Sequence, residues 1–85
     1  MSVGFGNYVA VERVVAIASA DSSPIRRAVQ EARKEGSLID ATQGRRSKSV
    51  LFIDDGRVLV SGLGSETLAR RMGGVPVEAA DADVG

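Results

Sequence analysis

The segment Gly44-Arg45-Arg46-Ser47-Lys48-Ser49 offers the most pointed chemistry in the chain. Two adjacent arginines present planar, permanently charged forks that match phosphate oxygens, and Lys48 adds a compact third cation. Gly44 permits close backbone approach, and the hydroxyls of Ser47 and Ser49 can donate to phosphate oxygens. The segment is not a Walker A loop, because G-x-x-x-x-G-K-[S/T] is absent. Without a ligand, the same residues would simply solubilise a loop and blunt a strand end. More basic residues precede it: Arg13, and the pair Arg26-Arg27. That pair falls where a helix is expected to begin, at the positive end of its dipole. Helix stability alone does not select cations there, so an anionic partner accounts for them better.

Catalysis finds little to work with. The chain has no His and no Cys, which excludes imidazole bases, thiol nucleophiles, disulfides, zinc fingers and iron–sulfur clusters. The carboxylates have structural explanations: Asp21 belongs to a helix start and Asp54-Asp55 to a turn. Asp40, close to the basic segment, is expected to orient Arg45 or Arg46. The reading is therefore a protein that is not an enzyme, with no catalytic residue, no metal ligands and no cofactor.

Eleven bases and eleven acids in 85 residues give a formal charge of zero, which superficially argues against a nucleic-acid partner. The distribution says otherwise. Residues 73–85 hold three acids (Glu78, Asp81, Asp83) and no base, so residues 1–72 carry a net +3. Between positions 13 and 48 there are eight bases against four acids, and nine of the eleven bases are arginine. If subunits assemble, this charge is repeated in each and is expected to concentrate wherever Arg13 and the 44–48 loop converge. Helix-turn-helix spacing, a zinc finger and an aromatic ribonucleoprotein motif are all missing. Phe5, Tyr8 and Phe52 are the sole aromatics, too few for a base-stacking platform. Backbone-directed contact with double-stranded DNA fits the composition better.

The elements that must position these cations can be read from periodicity. Residues 1–5 make a short strand, Gly4-Phe5-Gly6-Asn7 a turn or bulge, and residues 8–19 two short strands or one bulged strand. A helix is predicted over 24–35, with Ser23 as N-cap, Pro24 at its first position and Gly36 ending it. Its apolar face is Ile25, Ala28, Val29 and Ala32. Residues 38–42 are extended. A hairpin over about 48–61 turns at Asp55-Gly56, read as a two-residue type I′ loop that sets Ile53 opposite Val58 and Leu51 opposite Val60. Ser65 caps a second helix at 66–72, stopped by Gly73-Gly74.

The fold class is α/β (α+β): a small two-layer domain with both helices on one sheet face. Residues 50–53 and 58–60 are apolar on both faces. The other face then needs the N-terminal strands or another subunit, so a homo-oligomer is expected. No apolar run approaches the roughly 20 residues of a membrane span, so no membrane partner is expected.

Four separate segments resemble the RemA family of bacterial extracellular-matrix (biofilm) regulatory proteins. They are Gly4-Phe5-Gly6-Asn7, Arg13 ahead of an apolar strand, Ser23-Pro24-Ile25-Arg26-Arg27, and Leu38-Ile-Asp-Ala-Thr-Gln-Gly-Arg-Arg. The resemblance covers about residues 3–72. It departs at Gln43, where an aromatic is common, and at Ser47, where threonine is usual. The resemblance implies a cytoplasmic, nucleoid-associated transcriptional regulator whose subunits form a ring-shaped homo-octamer on DNA. Its functional arginines fall on Arg13, Arg45 and Arg46, its helix-start proline on Pro24, and its further basic position on Arg26 and Arg27. The domain division is then 1–72 as a RemA-like DNA-binding domain and 73–85 as a flexible acidic tail. The alternative is a homo-oligomeric scaffold without DNA binding.

Overall fold

The computed structural model describes residues 1–73. Strands β1 (Ser2–Gly4) and β2 (Asn7–Tyr8) form a small antiparallel ribbon at the N-terminus. Its turn needs positive φ at three successive residues: Gly4 (104°), Phe5 (52°) and Gly6 (78°). Asn7 closes that turn, its Nδ2 donating to the carbonyls of Gly4 and Phe5. The polar Glu12-Arg13 interruption becomes a single 3-10 turn at Val11–Arg13. The chain then enters β3 (Val14–Ser19), helix α1 (Ser23–Glu35) and β4 (Leu38–Asp40). Finally come β5 (Ser49–Ile53), β6 (Val58–Ser61) and helix α2 (Ser65–Arg71).

The main sheet has the order β3-β5-β6-β4, with β4 parallel to β6 and the other pairs antiparallel. Helix α1 therefore crosses one face to link the two edge strands. Its main contacts are with β4 and β6. Strand period sorts the core into two layers. Val50, Val58 and Val60 point toward α1 and pack with Ala32, Ile25 and Val29. Leu51 and Leu59 point the other way and pack with Val3, Ala41 and Leu68. Helix α2 and the N-terminal ribbon thus cover the face opposite α1. This corrects the two-layer expectation with both helices on one side. Both sheet faces are covered from within the chain, so an uncovered face no longer argues for a second subunit.

Local chemistry explains three further shifts. Ser22, not Ser23, is the N-cap of α1: its hydroxyl accepts from the Ile25 N–H, leaving Pro24 second in the helix. Gly36 (φ 78°) ends the helix as predicted, with Ser37 N–H donating to Ala32 O and Gly36 N–H to Arg33 O. Helix α2 starts one residue early, with Gly64 rather than Ser65 at its N-cap. The hairpin register also differs by one. Ile53 N–H donates to Arg57 O and Gly56 N–H to Ile53 O, making a three-residue loop of Asp54, Asp55 and Gly56. Leu51 accordingly faces Leu59 and Phe52 faces Val58. A type I′ turn needs positive φ at both central residues, whereas here Gly56 alone (94°) adopts it. The Asp55 carboxylate accepts from the Arg57 N–H, which favours this wider loop. The tail expected over 73–85 lies, apart from Gly73, outside the described residues.

Candidate nucleic-acid interface

Between β4 and β5 the chain is anchored at both ends before its cations reach solvent. On the β4 side, Ala41 N–H donates to Val60 O at 2.9 Å and prolongs the ladder. The Asp40 carboxylate accepts from Thr42 N–H at 2.9 Å and from Thr42 Oγ1 at 2.6 Å. Those two bonds, with Arg33 adding a smaller attraction, hold the Asp40 carboxyl below its ordinary range. Asp40 therefore secures the loop by fixing Thr42, which is buried; it does not orient Arg45 or Arg46 as expected. Arg45 N–H then donates to Thr42 O, and the intervening Gln43 (φ 55°) and Gly44 (φ 79°) are both left-handed. A non-glycine residue with positive φ is uncommon and stores strain that the surroundings must hold in place.

On the β5 side, Lys48 is gripped by its backbone. Its N–H donates to Ser61 O at 2.8 Å and its carbonyl accepts from Ala20 N–H at 3.1 Å. The next residue, Ser49, is buried and donates its hydroxyl to Leu63 O at 2.7 Å. Ser61, its cross-strand partner, donates to Val3 O at 2.8 Å and ties the N-terminal ribbon to the same end of the sheet. Arg45, Arg46 and Lys48 are exposed on this base, and none has an ion-pair partner among the described residues. A fourth participant was not legible in the sequence. The Phe5 ring lies under Arg45, its centroid 5.1 Å from Cζ, a cation–π arrangement that limits where the guanidinium can point.

Two clefts flank the loop. On the α1 side, a cleft of about 340 Å³ has Arg26, Arg33 and Arg46 in its walls and Val50 and Val60 in its lining. This unites Arg26 with the loop; Arg27 is exposed on α1 but does not line that cleft. On the α2 side, Arg70 shares a second cleft with Arg46 and Lys48. Arg33 and Arg70 were missed by sequence reasoning because each sits near a helix C-terminus, where complementing the dipole already explains a cation.

Arg13 is elsewhere. It stands at the opposite end of β3, where its Nε donates to Asp54 at 2.8 Å and its carbonyl accepts from Asp54 N–H. Within one chain Arg13 and the 44–48 loop occupy opposite ends of the sheet, so the convergence expected of an assembled oligomer would have to join different subunits. Asp55 and Gly56, predicted as turn residues, shape that far end; Pro24 is second rather than first in its helix, and Gly44 takes a left-handed conformation (φ 79°) ahead of the arginines. Among the described residues no cluster of three or more His, Cys, Asp or Glu gathers around a potential metal position. No helix among them is long and apolar enough to cross a membrane.

Residues 1–72 match the family model described as RemA-like, extracellular matrix regulatory protein A-like. A protein of Synechococcus elongatus is 54% identical over 72 residues, covering 85% of this chain and 83% of its own. One of a Cyanothece species is 51% identical over 71 residues, covering 84% of this chain and 78% of its own. One of Bacillus cytotoxicus is 46% identical over 72 residues, covering 85% and 83%. All three are named as regulatory proteins, and none of these names is that of an enzyme.

Proposed function

We propose, from the premise that this chain belongs to the RemA-like family, that it regulates transcription by binding double-stranded DNA through repeated arginine–phosphate contacts. The observation that carries this reading is the set Arg45, Arg46 and Lys48, cations without an ion-pair partner among the described residues, on a loop pinned at both ends. Arg26 stands across the adjoining cleft, and Arg27 extends the same basic helix start. Phosphate contacts set affinity and position without reading bases. Sequence preference then comes from the bendability of the duplex.

Few contacts per subunit bind weakly, and repetition around a ring multiplies them through effective concentration. Exposed apolar side chains support a ring homo-oligomer, an octamer by family resemblance. Val15 (68% exposed) is the extra residue of a bulge in edge strand β3, and Ile39 (38%) lies on edge strand β4. Two different sticky edges suit the head-to-tail contacts from which closed rings are built. Arg13 enters differently: it can reach the same backbone segment from a neighbouring copy, once released from Asp54. Control of extracellular-matrix genes is the role that the family's description suggests.

The test is an anisotropy titration of a labelled duplex with the full chain at several salt concentrations. Affinity is expected to fall at least about a hundredfold between roughly 50 and 200 mM salt. Absence of binding at the lowest salt would overturn the reading and favour an oligomeric scaffold.

A further inference from the structure

The cleft on the α2 flank has a volume of about 520 Å³ and draws its cations from two separate elements: Arg46 and Lys48 from the loop, Arg70 from α2. We propose that it seats one phosphate group, held by Arg46, Lys48 and Arg70, with the Ser47, Ser65 and Thr67 hydroxyls as additional donors. The seat extends the DNA-contacting surface onto α2 and rests on the DNA reading for the source of its phosphate.

Electrostatics favours this use. Arg46 and Lys48 have no ion-pair partner among the described residues. Arg70 approaches Glu66 at only 3.9 Å, and the Glu66 side chain is 88% exposed, so that pair competes feebly for the guanidinium. Among the described residues the walls also contain two carboxylates, Asp21 and Glu66, which leave three cations against two anions. A net charge of one matches a phosphodiester, which carries a single negative charge. A phosphate monoester carries about −1.5 to −2 at neutral pH and is matched less well. The DNA backbone is therefore the favoured source of the phosphate, over a free nucleotide.

Amide chemical shifts of the ¹⁵N-labelled full chain, followed during titration with a short duplex, inorganic phosphate or AMP, test the seat. The duplex is expected to shift the amides of Lys48, Ser65 and Thr67, with phosphate and AMP acting only at far higher concentration. Arg70→Gln, an exposed change that spares the core, is expected to weaken duplex binding about three- to tenfold and to lower the salt slope by about one. Arg70→Lys should restore part of the loss. AMP acting on these amides at lower concentration than the duplex would keep the seat and overturn DNA as its source. Duplex binding with these amides silent and Arg70→Gln unchanged would overturn the seat and leave the DNA reading standing. Phosphate or AMP shifts that Arg70→Gln abolishes, with no duplex binding, would do the reverse. Silence toward all three probes would overturn both.

Discussion

At the hairpin end of the sheet Arg13 and Arg57 each face an aspartate, Asp54 at 2.8 Å and Asp55 at 2.7 Å; at the loop end Arg45, Arg46 and Lys48 face none among the described residues. Both ends are exposed and both are built on the same two antiparallel strands, β5 and β6. The difference lies in what the neighbouring backbone demands. The three-residue hairpin loop brings aspartates for its own turn geometry, and the nearby arginines are drawn to them. The β4–β5 loop meets its turn requirement with Asp40, whose carboxylate is occupied by Thr42. Among the described residues no acid then claims its cations. A count of basic residues therefore says little about binding; whether local acids have already claimed them says more.

The largest expected effect comes from removing cations at one end and then at the other. Arg45→Ala with Arg46→Ala should abolish duplex binding at moderate salt, a loss above about a hundredfold, with melting temperature and oligomer mass unchanged. Arg57→Ala, at the paired end, should leave DNA affinity within about twofold, because its partner Asp55 already neutralises it. Equal losses from the two changes would erase the distinction between the ends.

Arg13 tests the boundary of that distinction. If it serves DNA from a neighbouring copy, Arg13→Ala should weaken binding by roughly tenfold or less, while Asp54→Asn frees the guanidinium and strengthens binding. Opposite signs in an anisotropy titration identify a ligand-directed arginine. Weakening by both variants would make Arg13 a clamp on the hairpin instead.

Acid should affect the two ends through the same sign of linkage. Asp40 is held below its ordinary value of 3.8 by its bonds to Thr42, and Asp55 by its bonds to Arg57. A depressed folded-state pKa contributes stability that is fully present above the unfolded value and lost as pH falls through the folded one. Asp40→Ala should cost about 1 kcal/mol at neutral pH through the lost hydrogen bonds, measured by denaturant melting. Asp40→Asn retains an acceptor oxygen, so it should cost less and flatten part of the stability decline below about pH 4. A decline identical to that of the parent chain would remove Asp40 from the loop's support.

Local signals carried much of this fold. Gly36 ends α1, the 48–61 hairpin lies where its β-branched runs put it, and the basic loop enters a buried strand. What was not legible depended on geometry that one-dimensional patterns leave degenerate. Asp-Gly is compatible with both a two-residue turn and a three-residue loop closing on a left-handed glycine, hence the one-residue slip. Strands that are apolar on both faces reveal two covers but not which helix supplies each. Arg13 and the loop are separated by the length of β3, and only the strand order β3-β5-β6-β4 puts them at opposite ends. The zero net charge was likewise uninformative about the folded face.

Phe5 and Arg45, forty residues apart in sequence, were paired by no signal in the chain, and theirs is the smallest and most diagnostic effect. Phe5 has φ 52° in a turn flanked by two left-handed glycines, and its ring underlies the Arg45 guanidinium. A methyl added at Gly62 would lie 4.0 Å from both that ring and the Arg45 side chain, so three segments meet there. Phe5→Gly removes the stack but suits the positive φ, because glycine adopts that conformation without strain. Stability should therefore hold or rise slightly, while DNA affinity falls about two- to fivefold, the equivalent of roughly 0.5–1 kcal/mol for an exposed cation–π contact. Phe5→Tyr should restore the affinity by replacing the ring. Stability and affinity falling together would show that Phe5 supports the N-terminal turn; affinity falling alone would show that it aims Arg45.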